Sequence, residues 1–200
     1  MPIIKNFQDT ALPENVVPGV AFKELKTFPD QRGFFREIVR FNDPFFEGDG
    51  SEKCFKQWSH SKMSQNTVKA WHFHHLQIDW WYIPIGLVSV CLYDLREESP
   101  TYKRKLEFLF GESELSPDVL TAVVRIPQGV LHGCKALSDT AHLFYITSET
   151  YNPDDEGRYP YNSDVVPHSW GKDEELITAP NDRRVFLPKN PRRVLAVDWA

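Results

Sequence analysis

Cysteine is scarce in this 200-residue sequence: Cys54, Cys91 and Cys134 stand at wide, unrelated spacings. Without a CxxC pair, and with an odd count, the sequence argues against a disulfide framework. Long apolar runs are absent too, and nothing approaches the ~18–20 residues needed to span a bilayer. There is no excess of basic charge. Lys and Arg total 23 against 28 Asp and Glu, for a net charge of −5. Sequence-independent nucleic-acid binding needs net basic surface, so no nucleic-acid partner is expected. The opening Met1-Pro2-Ile3-Ile4-Lys5-Asn6 is too short and too polar for a signal peptide. These absences lead us to expect a cytoplasmic protein of a reducing compartment, with no membrane partner.

Internal repeats, low-complexity tracts and helix-period patterns are also missing. What is present is an ordinary globular composition, 41% hydrophobic and 26% charged, with aromatics at 14%. No linker divides the chain, so residues 1–200 are expected to form one domain. Short β-rich runs separated by Gly, Pro, Asn and Asp dominate. They are Val20–Phe28, Phe34–Phe41, Thr67–Phe73, Trp80–Ile85, Val88–Leu92, Lys105–Phe110, Leu120–Ile126, His132–Ala136 and Ala141–Ser148. This spacing predicts an all-β sandwich or jelly roll with few short helices. From about residue 151 to 200 the chain reads as loop, rich in Pro, Asp and Asn to Trp170. Cys91, in an apolar run, reads as a small buried hydrophobe.

Two segments suggest chemistry. In Trp71-His72-Phe73-His74-His75, a strand would put His72 and His74 on one face and His75 on the other. Asp79 and Gly86 follow in the spacing H-x-H-x4-D-x6-G, which resembles the first cupin motif, with Asp where Glu is usual. Pro127, Gly129 and His132 form P-x-G-x-x-H, which resembles the core of the second. In metal-binding cupins the positions of His72, His74, Asp79 and His132 hold one divalent ion. Such a set suits Fe, Mn, Ni, Cu or Zn, and spacing does not choose among them. The same histidines can also line a pocket as hydrogen-bonding groups without a metal.

A wider resemblance runs from about Asp30 to Asp182. Asp30-Gln31-Arg32-Gly33-Phe34-Phe35-Arg36-Glu37, Asp94-Leu95-Arg96-Glu97-Glu98-Ser99-Pro100-Thr101, Ile126 to Gly133, and Tyr145, Tyr151 and Pro153 occur in order. Together they resemble the dTDP-4-dehydrorhamnose 3,5-epimerase family, dimeric and usually metal-free cupins. The resemblance implies a jelly-roll homodimer acting on a nucleotide-linked 4-keto sugar without a cofactor. It implies His72 as general base oriented by Asp182, and Tyr145 as the acid on the opposite face of the sugar. It further implies substrate contacts from Arg32 (commonly delivered to the neighbouring subunit), Gln57, Lys69, His132 and Tyr151.

Three positions depart from the family pattern. Lys69 replaces an Arg, His74 a Gln, and Asp79 the Lys that steadies the enolate oxygen. A carboxylate opposes a developing oxyanion. The last two changes fall at metal-ligand positions of other cupins, where a metal-bound His72 would no longer be a free base. Three functions therefore stand at this stage: a nucleotide-sugar epimerase or isomerase, a metal-dependent cupin enzyme (dioxygenase or metal-assisted isomerase), and a non-catalytic sugar-binding relative. Trp71 and Trp81 are expected on the face opposite His72 as core residues. His60, His142 and His168 are expected to be structural or at the surface.

Overall fold

The computed structural model describes residues 17–47, 56–112 and 118–189. Cys54, Arg192 and Arg193 lie outside them. The strands in chain order are β1 (Ala21–Glu24), β2 (Thr27–Asp30), β3 (Gly33–Arg36), β4 (Gln57–Ser64), β5 (Val68–His74), β6 (Asp79–Ile85) and β7 (Leu87–Asp94). They continue with β8 (Lys105–Gly111), β9 (Val119–Leu120), β10 (Ala122–Ile126), β11 (Val130–Ala136), β12 (Thr140–Thr147) and β13 (Glu156–Arg158). Among the described residues, helix is confined to short 3-10 turns. No described helix is long and apolar enough to cross a membrane.

Among the described residues, one sheet runs β1-β10-β6-β12-β4 and a second β13-β5-β11-β7-β8-β9. Every pairing is antiparallel except β8 with β9. Alternation along the strands makes the sandwich. Trp81, Ile83, Val124, Ile126 and Leu143 of the first sheet cluster with Val88, Val90, Leu92, Phe108 and Phe110 of the second. Burying each such side chain contributes roughly 1.5–3 kcal/mol. The second sheet's outer face, with Val68, Trp71, Phe73, Cys91 and Leu131, is covered by Tyr161, Val166 and Trp170 of the C-terminal segment. The jelly-roll expectation holds, and Cys91 is fully buried.

Three details differ from the expected strands. Val20–Phe28 divides into β1 and the start of β2, and the Phe34–Phe41 run shortens to β3. β4 (Gln57–Ser64) falls in no expected run. The segment expected to be loop contributes β13, which pairs with β5 (Glu156 opposite His74, Arg158 opposite His72). Gly157 permits this approach, because a Cβ there would lie 2.2 Å from the Phe73 ring.

A bulge shapes β5. His132 of β11 pairs with His72, but Cys134 pairs with Lys69, so Ala70 and Trp71 together oppose Gly133. Regular alternation would send Lys69 and His72 to opposite faces. The extra residue brings both into the same cleft. A Cβ on Gly133 would lie 2.6 Å from the Ala70 Cβ and about 3.0 and 3.1 Å from the Trp170 and Trp71 rings. Glycine is therefore what fits inside the bulge.

The sequence Asp94-Leu95-Arg96-Glu97-Glu98-Ser99-Pro100-Thr101 anchors the turn after β7. The fully buried Asp94 carboxylate accepts from Arg96 Nε (2.7 Å), Ser99 Oγ (2.6 Å) and Thr101 Oγ1 (2.7 Å). Its role here is structural.

Candidate active site

A cleft of about 350 Å³ lies between the sheets, within the usual size of a small-molecule site. Lys69, His72 and His74 enter it from β5, and Glu156 and Arg158 from β13. His132 enters from β11, Asp79 and Trp81 from β6, and Tyr145 and Thr147 from β12. Asn181 and Asp182 enter from a C-terminal 3-10 turn, and Gln57 and Tyr151 complete the wall. A larger, apolar cavity of about 800 Å³ lies on the other face of the first sheet, lined by residues such as Trp58, Trp80 and Phe144. It holds none of the histidines. The titratable side chains gather in the smaller one.

Two groups of titratable side chains share the cleft. In the first, the His72 Nδ1 lies 3.2 Å from Glu156 Oε1, and its Nε2 lies 4.0 Å from Asp182 Oδ1. Arg158 ties the acids together, with Nη2 2.7 Å from Glu156 Oε1 and Nη1 4.0 Å from Asp182 Oδ1. Asp182 is fixed in turn by the Ala179 N–H at 2.8 Å. Burial opposes ionisation of Glu156, but the His72 hydrogen bond and the Arg158 charge hold its carboxyl at about 2. A carboxylate accepts only, so Nδ1 carries the proton and Nε2 the lone pair when His72 is neutral.

In the second group, one donor atom each from His74, Asp79 and His132 lies within 4.8 Å of the others. His132 Nδ1 donates to the Val130 carbonyl at 3.0 Å, which leaves the lone pair on Nε2, 3.8 Å from Asp79 Oδ2. Asp79 accepts from Gln77 Nε2 at 2.7 Å and Trp81 Nε1 at 3.1 Å. Burial pushes the His74 imidazole below its usual range and takes His132 down to about 4, so both are neutral at pH 7.

Most of the expected residues thus converge: His72, Asp182, Tyr145, Gln57, Lys69, His132, Tyr151, His74 and Asp79 all line the cleft. Tyr151 is at the exposed rim, where its N–H donates to Gln57 Oε1 at 2.9 Å. Arg32 does not line the cleft. It lies in the β2–β3 turn, exposed and paired with Asp30 at 2.6 Å.

Several expectations are corrected. His72 stands outside the grouping that includes His74, Asp79 and His132, so base and metal-ligand roles need not compete for one imidazole. Asp182 is not the nearest carboxylate to His72; Glu156 is. Trp81 is not opposite the histidines: its ring meets His132 edge-on at 5.2 Å within the cleft. It belongs to the other sheet, and the turn at residues 75–78 breaks the alternation carried forward from His72. Trp71 does sit in the outer cluster. His60 and His142 pair at 2.9 Å at the surface, and His168 binds Glu107 at 2.6 Å, as structural histidines do. Glu156, Arg158 and Gln77 were missed. For Glu156 and Arg158 the alternation Glu156-Gly157-Arg158 was the only local signal, inside a segment that reads as loop; Gln77 stands two residues before Asp79.

The profile of the family described as dTDP-4-dehydrorhamnose 3,5-epimerase matches residues 14–188. The chain is 37% identical over 158 residues to the spore coat polysaccharide biosynthesis protein SpsL of Bacillus subtilis (strain 168), covering 78% of this chain and 97% of that protein. It is 30% identical over 161 residues to the dTDP-4-dehydrorhamnose 3,5-epimerase of Salmonella typhimurium (strain LT2), covering 78% and 84%. Among solved structures, a dTDP sugar isomerase from Desulfovibrio desulfuricans G20 superposes with a TM-score of 0.68 at 29% identity, covering 78% of this chain and 94% of that one.

Proposed function

The chain belongs to the dTDP-4-dehydrorhamnose 3,5-epimerase family, and from that membership and the setting of His72 we propose that it epimerises a nucleotide-linked 4-keto deoxy sugar. The observation that carries the reading is the His72 imidazole, held between Glu156 and Asp182 in a cleft that also holds Tyr145.

A keto group acidifies the C–H bonds beside it. Glu156 fixes the Nδ1–H tautomer, so Nε2 is the atom that takes the proton. As His72 becomes an imidazolium, Asp182 at 4.0 Å from Nε2 stabilises the new charge. The enolate is then reprotonated from its other face by Tyr145, which enters from the opposite sheet, and the carbon inverts. Lys69 and Arg158 bring positive charge into the cleft, and the proton transfers use side chains alone. Gln57 and Tyr151 border the sugar at the rim.

The reading includes a homodimer. Arg32 projects into solvent beside the exposed Phe28, Phe34 and Phe35, which suits a hairpin that reaches a second subunit. There its planar guanidinium would meet the diphosphate. A nucleotide-linked substrate fits a cytoplasmic enzyme.

The test is incubation with a dTDP-linked 4-keto-6-deoxy sugar in deuterium oxide. Deuterium should enter beside the keto group with wild-type protein and not with His72→Ala. Ligand binding without exchange by the wild type would instead make the protein a non-catalytic sugar-binding relative.

A further inference from the structure

We propose that His74, Asp79 and His132 form a binding site for one divalent transition-metal ion, with His72 outside the coordination set. The donor atoms lie within 4.8 Å of one another. Ligands about 2.0–2.2 Å from a shared ion sit some 3–3.5 Å apart, so small side-chain rotations close the set. The tautomer of His132 is fixed, because the Val130 carbonyl takes its Nδ1 proton at 3.0 Å. Its Nε2 lone pair consequently faces the Asp79 carboxylate across 3.8 Å. The ring lone pair and a carboxylate oxygen thus point into one space, where a shared cation would meet both. His74 offers a ring nitrogen to the same group, and its ring centroid lies 5.6 Å from that of His132.

The surroundings are those of a ligand set. The Asp79 oxygens are oriented by Gln77 and Trp81, and a ligand imidazole ordinarily gives its other N–H to a carbonyl, as His132 does. Two imidazoles and one carboxylate suit a divalent first-row metal and leave positions open to a small molecule in the cleft. His72 is occupied elsewhere, by Glu156 and Asp182, so the ion and the base coexist. What the ion would do for catalysis rests on the epimerase reading: it supplies positive charge beside Asp79, where a carboxylate alone would oppose an enolate oxygen.

The experiment is titration of chelator-treated, tag-free protein with Co(II), Mn(II), Ni(II) and Zn(II) by calorimetry, with the visible spectrum of the Co(II) form as a second readout. One equivalent of at least one ion should bind. Asp79→Asn and His132→Gln should weaken it at least 100-fold while keeping the wild-type near-ultraviolet circular dichroism. His72→Gln should bind within about threefold of wild type, and Gln77→Leu, which leaves the ligands in place, about tenfold more weakly. The site is overturned if none of the ions binds below millimolar concentration, or if binding survives in folded Asp79→Asn. Loss in His72→Gln equal to that in Asp79→Asn would overturn the assignment of ligands. Gln77→Leu supplies the orienting test should an Asp79 variant not fold. The two readings fail separately: deuterium exchange by a protein that binds no ion removes the metal and keeps the base. Metal binding with exchange undiminished in His72→Ala does the reverse.

Discussion

The imidazole of His72 and the carboxylate of Glu156 meet at 3.2 Å across two neighbouring strands, β5 and β13. This contact decides which nitrogen of His72 is available as a base, and it depends on a three-residue strand whose central glycine lies flush on Phe73. In the proposed reaction the carboxylate that sets the tautomer and the one that faces the imidazolium charge are thus different residues.

That division predicts unequal losses. Glu156→Gln should lower kcat by about 10²-fold or more, because the amide can donate to Nδ1 and favour the wrong tautomer. Asp182→Asn leaves the tautomer intact and removes only the charge 4.0 Å from Nε2, so its loss should be smaller. Initial rates of solvent deuterium uptake on both variants check this. Equal rates for the Glu156 variant and wild type would return the orienting role to Asp182.

Tyr145→Phe should separate the two halves of the reaction. His72 can still remove and return a proton on its own face, so deuterium should enter the sugar. Net inversion should fall by about 10²–10⁴-fold, since the phenol alone supplies the other face. Nuclear magnetic resonance of the sugar protons reports exchange and configuration together. Loss of exchange and inversion in parallel would show that Tyr145 serves the first step as well.

Most strands of the sandwich were legible because apolar alternation and turn residues survive burial on one face; β4, mostly polar from Gln57 to Ser64, was not. The expected cleft residues, apart from Arg32, converge because two motifs on β5 and β11 pair side by side. The bulge was not legible. A sequence read at period two puts Lys69 behind the sheet, and only the steric demand at Gly133 shows why the register shifts. Glu156 and Arg158 were hidden for another reason: β13 is held by tertiary contact with Phe73 and β5 rather than by its own propensity.

The bulge carries its own prediction. Gly133→Ala would place a methyl 2.6 Å from the Ala70 Cβ. Relief requires β5 to move, at a cost of about 1–3 kcal/mol. Movement there also displaces Lys69 and His72, so activity should fall further than the stability loss explains at a temperature where the protein remains folded. Thermal melts beside deuterium-exchange rates measure both. A variant with wild-type rates and melting would show that β11 yields instead.

Asp94 provides the test of stability against pH. Burial opposes its charge, yet the hydrogen bonds from Arg96, Ser99 and Thr101 hold its carboxyl below the ordinary value of 3.8. A group depressed in the folded state stabilises fully above its unfolded pKa, and that contribution is lost as pH falls through the folded value. Asp94→Asn removes the charge that Arg96 faces in the interior and should cost about 3–5 kcal/mol at pH 7. Wild-type stability should decline below about pH 4, while the asparagine variant lacks this component of the pH dependence. Urea denaturation of both proteins at pH 7 and pH 3 should therefore show the gap between them narrowing in acid. A gap independent of pH would mean that the cost of the substitution is packing and not charge.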